Sequence, residues 1–265
     1  MFDEEKGRYY HYDDPGESDS VDFSKLNAVD WTKIKHVRVG ILLLMIDKII
    51  HCLVAVGCLV LLASIHGSFI EEVGQPGNRA AALGMLVALA MGVFCLASCP
   101  VIISGILGVI GTALCIDVPR VTGARGPIII SVVCSAFVGL TGEIAGHLQP
   151  ILGMNIPLSS LSVMVGIPLW LASYTTFTIF LLRLSRFFRA RHLPKRISTV
   201  TFIQVLFLGM LFVSVGADGA GNITPERLFL MFVGVAVIYL SWALTSIWVY
   251  RGFYRMLGNL PLPTR

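Results

Sequence analysis

The sequence predicts an all-α, polytopic integral membrane protein, a helical bundle with six transmembrane helices and both termini cytoplasmic. Apolar residues make up 55% of the 265 residues and charged residues 14%, whereas an average soluble chain carries roughly 25% charged residues. The mean hydropathy of +0.80 leaves too little polar surface for a water-soluble globule of this size. Six apolar stretches each reach the roughly 20 residues that cross about 30 Å of hydrocarbon. They cover residues 38–65, 80–115, 127–148, 158–182, 197–216 and 228–250.

Residues 1–35 are predicted to form an acidic, disordered cytoplasmic tail. Nine of the sixteen acidic residues lie before position 31, and the segment combines high charge density with no apolar periodicity. An acidic docking arm is the alternative. Because no basic n-region precedes an apolar h-region here, we expect the first membrane helix to act as its own insertion signal. Residues 36–255 form the predicted transmembrane domain, and residues 256–265 form a short C-terminal tail.

The second apolar stretch is too long for one straight span, because residues 80–115 would run roughly 54 Å as a helix at about 1.5 Å per residue. Proline removes a backbone donor and clashes with the preceding turn, so Pro100 is the expected position of a kink. Two short spans in its place would carry the basic cluster at 183–196 to the outside. The positive-inside rule disfavours that arrangement, and we therefore expect one kinked span.

Basic residues set the predicted orientation. Fourteen Lys or Arg flank the helix ends that six spans place inside, and two, Arg79 and Arg227, lie in the opposite loops. Positive residues in short loops favour the cytoplasmic side. The loops at 65–79, 149–157 and 217–227 are therefore expected outside.

Six of these cations follow the fourth apolar stretch and are interleaved with Leu184, Phe187 and Phe188. The run is expected to continue helix 4 until Pro194 stops it, and to lie along the headgroups of anionic lipid. Because that surface faces lipid, no nucleic-acid partner is expected. The predicted lipid contacts are Arg183, Arg186, Arg189, Arg191, Lys195 and Arg196.

Small residues recur at helical spacing in the second stretch. Such rows let helix backbones approach closely in lipid, which indicates either packing within the bundle or contact in a homo-oligomer. One row is spaced by four residues and one by three: Gly84, Ala88 and Gly92, then Gly105, Gly108 and Gly111.

Charged side chains inside the apolar stretches are candidates for function, because charge in hydrocarbon is expensive. Asp47 lies about ten residues into helix 1, roughly 14 Å deep, and His51 follows at i+4 on the same face. Lys48 points about 100° away and is expected to snorkel toward the cytoplasmic side. In helix 3, Glu143 lies roughly 24 Å from the inner end, with His147 again at i+4.

These two acid–histidine pairs lie at similar depths, with His51 at roughly 20 Å and Glu143 at roughly 24 Å. If helices 1 and 3 are neighbours, both pairs belong to one intramembrane polar site. Three uses stay open: a structural hydrogen-bonded pair, a proton or ion relay, and a metal or haem site. The metal interpretation lacks the Glu-x-x-His spacing of di-iron bundles, and no metal or other cofactor is predicted.

The remaining motif search points away from common enzyme chemistries. The six cysteines lie in or beside apolar runs, as buried packing residues do. The chain contains no C-x-x-C pair, Walker loop, Gly-x-Ser-x-Gly, His-Glu-x-x-His or dinucleotide fingerprint. Motif support for redox, nucleotide-dependent or hydrolytic chemistry is therefore missing.

Short motifs from residue 31 onward carry a family resemblance. They are Trp31-Thr32-Lys33 with Val37-Arg38-Val39-Gly40-Ile41-Leu42-Leu43, Leu114-Cys115-Ile116-Asp117-Val118-Pro119 with Gly123-Ala124-Arg125-Gly126, and Phe180-Leu181-Leu182-Arg183-Leu184-Ser185 with Leu193-Pro194-Lys195-Arg196. This pattern resembles multi-pass membrane proteins abundant in planctomycete-type bacterial genomes. The resemblance implies a bacterial inner membrane and no particular activity, and the residues of the predicted polar site are not among the matched positions.

The predicted function is that of a structural or accessory membrane subunit without catalytic activity of its own. The soluble parts are a tail and short loops, too little to build a water-facing active site. Its expected partners are the lipid bilayer and either another membrane protein or a second copy of the chain. A small transporter or ion- or proton-conducting protein is the first alternative, and a quinone or haem redox subunit is the second.

Overall fold

The computed structural model describes residues 28–73, 79–152, 158–190, 192–218 and 225–260, together with the pairs 2–3 and 8–9. Side chains are described for residues 30–64, 84, 91–92, 98–100, 102–138, 140, 165–190, 192–207, 209 and 229–260. Within this part of the chain the elements are helical apart from a two-stranded antiparallel pair, β1 (Phe2–Asp3) and β2 (Arg8–Tyr9), with Phe2 opposite Tyr9.

Six long α-helices follow in the described ranges. They are α1 (Ala28–Val73), α2 (Arg79–Cys115), α3 (Arg125–Leu152), α4 (Leu158–Phe187), α5 (Leu193–Asp218) and α6 (Pro225–Gly258), with a 3₁₀ helix at Arg120–Thr122 before α3. Each contains one of the apolar stretches found in the sequence. The all-helical fold expected from hydropathy is therefore confirmed.

Four segments of these helices are long and apolar enough to cross a membrane, counted over the described residues alone. They are Asp30–Ser64, Ser98–Cys115, Val165–Phe187 and Phe229–Gly258, and a shorter apolar segment covers Arg125–Val138. Large apolar side chains on these helices face outward: Leu53, Ile102 and Leu230 are 68%, 63% and 67% exposed. Apolar surface of this kind suits lipid and not water, and it indicates a membrane protein.

Helix α1 begins earlier than the sequence predicts. Its first residue is Ala28, so residues 28–35, assigned above to the acidic tail, are helical. The physical reason is local: Trp31, Ile34 and Val37 form a buried apolar face at helical spacing, and Lys33 Nζ pairs with Asp30 Oδ1 at 3.4 Å across one turn. The rest of the predicted tail lies outside the described residues except for the two short strands.

Helix α2 is continuous through Pro100. The single span expected in this stretch stays a prediction. The kink expected at Pro100 stays a prediction.

The end of α4 differs from the prediction that the basic run continues this helix to Pro194. The helix ends at Phe187, where Ala190 N donates to Ser185 O and Arg189 N donates to Arg186 O. Arg189 has a φ of 51°. This hydrogen-bond pair with a left-handed residue is a Schellman cap, which stops α4 before the proline. Pro194 lies instead in the first turn of α5, where its missing N–H costs nothing.

The described chain divides into two compact units, each described here by itself. The first comprises Met1–Ile41, Val109–Pro194 and Gly252–Arg265. In it α1 lies directly against α2: a Cβ on Gly40 would meet the Gly111 carbonyl oxygen at 2.6 Å and Cys115 Sγ at 3.0 Å. The hydroxyl of Ser173 on α4 joins α3 by donating to the Ser131 carbonyl at 3.0 Å.

The second unit comprises Leu42–Gly108 and Lys195–Arg251. It contains Asp47 and Lys48, which lie well inside apolar helix α1, and it holds the candidate site.

Candidate functional site

The candidate site is built around three residues of α1. Asp47 is 4% exposed, and His51, one turn further along, brings Nε2 to 3.2 Å from Asp47 Oδ1. Lys48 Nζ lies 2.7 Å from Asp47 Oδ2. The two carboxylate oxygens therefore face different partners, one cationic and one a ring nitrogen.

The position of Lys48 corrects the expectation that it snorkels toward the cytoplasm. Its side chain is 13% exposed and ion-paired with Asp47, and Nζ lies 4.5 Å from the centroid of the Trp242 ring. The helical spacing of 100° per residue fixes the direction of Cβ but not that of a flexible four-carbon stem. The buried carboxylate of Asp47 and the face of the Trp242 ring stabilise the Lys48 ammonium in this largely buried position.

Helix α2 contributes Ser104, which is fully buried. Its hydroxyl donates to Asp47 Oδ1, and its Oγ lies 2.9 Å from His51 Nε2. The α2 backbone is also close, since a Cβ on Gly108 would lie 3.9 Å from Asp47 Oδ2. The small residues of α2 therefore bring its backbone next to the buried carboxylate.

Helix α6 contributes Tyr239 and Trp242. The Tyr239 hydroxyl is hydrogen-bonded to His51 Nδ1, and the two rings meet edge to face with centroids 5.6 Å apart. The Trp242 ring lies 6.0 Å from His51 and 5.5 Å from Tyr239. The Phe207 ring of α5 lies 5.7 Å from the Tyr239 ring, and two aromatic rings of α6 lie beside the imidazole.

These contacts form one continuous hydrogen-bond chain, which we name the His51 network: Tyr239, His51, Ser104, Asp47 and Lys48. Because the Ser104 hydroxyl gives its proton to Asp47, its oxygen accepts from His51 Nε2–H. The neutral imidazole then has Nδ1 free to accept from the Tyr239 O–H. With Asp47 ionised and Lys48 protonated, the network is electrically neutral, and the protons of Tyr239, His51 and Ser104 each have an acceptor within it.

A histidine in this position can move a proton. One of its nitrogens is a hydrogen-bond donor and the other is an acceptor. Uptake of a proton at Nδ1 with release of the proton at Nε2 would reverse the donor and acceptor roles along the His51 network. Carboxylate and histidine chains inside membrane segments mark proton relays. The arrangement therefore has the connectivity that a relay requires.

Ser104 and His51 also have the separation of a nucleophile and its base. The hydroxyl proton, however, is directed to Asp47 and not to the imidazole. The Ser104 side chain has no exposed surface, whereas a nucleophile must reach its substrate. The geometry favours proton exchange over acyl transfer.

For the other two residues of the predicted polar site, the structure describes the backbone only. Glu143 and His147 lie in α3, but their side chains are outside the described residues. Their sharing of a site with Asp47 stays a prediction. Within the described part of the chain, no three His, Cys, Asp or Glu side chains come together as a metal site would need.

The predicted lipid-contacting cations have different environments. Arg183 Nη1 donates to the Gly123 carbonyl at 2.6 Å, and Arg196 Cζ lies 3.9 Å from the centroid of the Trp248 ring. Four of these side chains are exposed, those of Arg183, Arg186, Arg189 and Lys195. Arg191 lies outside the described residues, and lipid contact by the whole run stays a prediction.

Sequence analysis did not identify Ser104, Tyr239 or Trp242. Ser104 directly precedes the glycine row at Gly105 and Gly108, and Tyr239 and Trp242 lie one turn apart in an apolar helix. Polar atoms in the middle of an apolar helix are the signal that could have identified them, because each needs a partner when no water is present.

Comparison of the chain with known protein families, with curated proteins and with solved structures gives no match. The argument for function therefore rests on the geometry of the site.

Proposed function

We propose that this chain is a polytopic membrane protein in which the His51 network exchanges protons within the bilayer, as part of a small proton-coupled transporter or proton-conducting protein. We further propose six spans, cytoplasmic termini and a bacterial inner membrane location. These proposals concern one molecule but rest on separate observations.

The observation that carries the proton proposal is the unbroken hydrogen-bond chain through His51. Tyr239 binds Nδ1, and Ser104 and Asp47 lie within 2.9 and 3.2 Å of Nε2. Both nitrogens of one imidazole therefore have partners, and the chain of hydrogen bonds connects α1, α2 and α6. The buried Lys48 offsets the charge of Asp47, so a proton arriving at His51 meets an ionised carboxylate that is already stabilised.

The proposed orientation is supported by the charges along the chain. Fourteen basic residues flank the helix ends assigned to the inside and two lie opposite, as the positive-inside rule requires. Arg189 is exposed at the end of α4 and gives a direct test. A cysteine there should react with an impermeant maleimide only after the cytoplasmic side is opened, and labelling from the outside of intact cells would contradict the orientation.

Proton flux tests the function. The purified full chain is reconstituted into liposomes containing a pH-sensitive dye, and an inward-directed potential is imposed with potassium and valinomycin. Wild-type protein should acidify the lumen faster than empty liposomes. His51→Gln keeps a polar side chain but cannot carry the proton, and it should lower the flux by at least about tenfold. Tyr239→Phe should also lower it, since it removes the partner of Nδ1.

His36→Gln is the matched control. It makes the same change at a histidine of α1 that lies 2.8 Å from Asp117, is 51% exposed and does not belong to the His51 network. Its flux should equal that of wild type. Flux no faster than in empty liposomes, or an equal loss in His36→Gln and His51→Gln, would overturn the proposal.

An accessory subunit is the competing proposal, as the sequence predicts from the small size of its soluble parts. Residue Gly105 of α2 supports it, because a Cβ there would meet nothing within 4 Å and the neighbouring Ile102 and Ile106 are 63% and 55% exposed. Another membrane helix could pack on that face. A stoichiometric partner recovered from intact membranes, together with no proton flux, would favour this function.

A further inference from the structure

Cations and an exposed tryptophan meet where α5 begins and α6 nears its end. Arg196 Cζ lies 3.9 Å from the centroid of the Trp248 ring. Lys195 is the neighbour of Arg196 and is exposed, and the exposed Arg251 follows Trp248 by three residues on α6. We name Lys195, Arg196, Trp248 and Arg251 the basic patch.

The charge of the basic patch has no counter-charge among the side chains that the structure describes. Of the three carboxylates with described side chains, Asp30, Asp47 and Asp117, none forms a salt bridge with the three cations. The first turn of α5, which contains Lys195 and Arg196, has no acidic residue. Cations near a helix N-terminus also oppose the positive end of the helix dipole. An external anion would offset both effects.

The basic patch lies next to exposed apolar surface on both helices. Along α6, Leu244 and Trp248 are 53% and 47% exposed and lie one turn apart, and the next turn presents Arg251. Along α5 the exposed Lys195 is followed two turns later by Phe202, which is 63% exposed. On each helix the exposed face therefore changes from basic to apolar, as at a membrane interface. On α6, Trp248 lies at this boundary.

We propose that the basic patch is a binding site for the headgroup phosphate of an anionic phospholipid, whose acyl chains lie along Leu244 and Phe202. An arginine fork matches phosphate oxygens in two-point contact. Trp248 positions the fork by stacking on the guanidinium, and Lys195 and Arg251 add charge on either side. A lipid fits better than a free anion because the exposed apolar rows continue directly from the cations.

The proposal is more specific than the general lipid contact predicted for the run 183–196. It adds Arg251 and Trp248, and it places the site on α5 and α6. It is also independent of proton exchange, because no residue of the His51 network belongs to the basic patch.

Native mass spectrometry of the full chain released from nanodiscs tests the site. The discs contain phosphatidylcholine with a rising fraction of phosphatidylglycerol, and the measured quantity is the amount of phosphatidylglycerol retained per chain. Wild type should retain it in preference to phosphatidylcholine. Arg196→Gln and Arg251→Gln should each weaken retention about fivefold, and Trp248→Leu should weaken it while leaving every charge in place.

Arg120→Gln is the matched control, because it removes the same charge from an exposed arginine elsewhere in the chain. It should retain phosphatidylglycerol as wild type does. Arg251→Lys keeps the charge that this residue contributes, and it should retain phosphatidylglycerol nearly as wild type does.

Two results would overturn the proposal. One is equal loss of phosphatidylglycerol in Arg120→Gln and Arg251→Gln, which would mean unspecific attraction to net charge. The other is full displacement of the lipid by inorganic phosphate at millimolar concentration, which would mean a site for free anions. If a glutamine variant does not fold, the comparison of Arg251→Lys and Trp248→Leu with wild type decides, since neither changes the net charge.

Discussion

The buried ion pair of Asp47 and Lys48 leads to a quantitative prediction. Asp47 is 4% exposed, accepts from the Ser104 hydroxyl and the Lys48 ammonium, and lies 3.2 Å from His51 Nε2. In Asp47→Ala, Ser104 and His51 keep each other as partners at 2.9 Å, but Lys48 keeps only the face of Trp242. An uncompensated buried charge costs about 3–5 kcal/mol, and we expect a loss of unfolding free energy of that size.

Lys48→Met should cost less, because it leaves Asp47 with the hydrogen bond from Ser104. We expect about 1–3 kcal/mol. The double variant has no unpaired charge, so its cost should fall below the sum of the single costs by about 1–3 kcal/mol. That shortfall is the coupling energy of the pair.

Reversible unfolding in mixed micelles of mild detergent and dodecyl sulfate measures these three free energies. Asp117→Ala is the control, because its carboxylate is 51% exposed beside His36 and an exposed pair contributes only about 0.2–1 kcal/mol. Additivity of the Asp47 and Lys48 costs within about 0.5 kcal/mol would refute the argument that the ion pair stabilises the network.

Three further predictions test the packing and the wider polar site. Gly40→Ala should destabilise the protein by about 1–3 kcal/mol, because its Cβ would lie 2.6 Å from the Gly111 carbonyl oxygen. Gly57→Ala is the control and should not destabilise it, because a Cβ there would meet nothing within 4 Å. Equal unfolding free energies for the two variants would contradict the close approach of α1 and α2. Arg189→Gly should raise the unfolding free energy by about 1 kcal/mol, since glycine adopts a left-handed φ without strain, and a lower value would contradict the cap described for α4. The sequence also predicts one site for Asp47 and Glu143, so a double alanine variant should cost less than the sum of its singles, and strict additivity would separate the two carboxylates.

The sequence identified the helices because each is a long apolar run, and hydropathy alone reports such runs. It also brought Asp47 and His51 together, since i,i+4 spacing puts two side chains on one face whatever the helix packs against. The sequence also predicts that Glu143 of α3 is a neighbour of this pair, and that prediction depends only on their similar estimated depths in the membrane. Depth does not fix which helices are adjacent or how each is rotated, because those follow from packing of small residues such as Gly108 against the partner helix.

Two local features were predicted wrongly for reasons of the same kind. Lys48 was assigned an outward direction from the helix period, but its long stem curves back to the nearest buried anion. The end of α4 was assigned to Pro194, because proline is a strong signal for a helix end. The actual end depends on a left-handed arginine, and left-handed residues other than glycine leave little trace in a sequence.

The most direct test of the central claim is the protonation of His51 itself. Solid-state ¹⁵N spectra of histidine-labelled protein in bilayers, minus those of His51→Gln, give the signal of this imidazole. We expect the neutral imidazole with the proton on Nε2 and with Nδ1 accepting from the Tyr239 hydroxyl. A His51 signal that shows the proton on Nδ1 would contradict the proposed proton path.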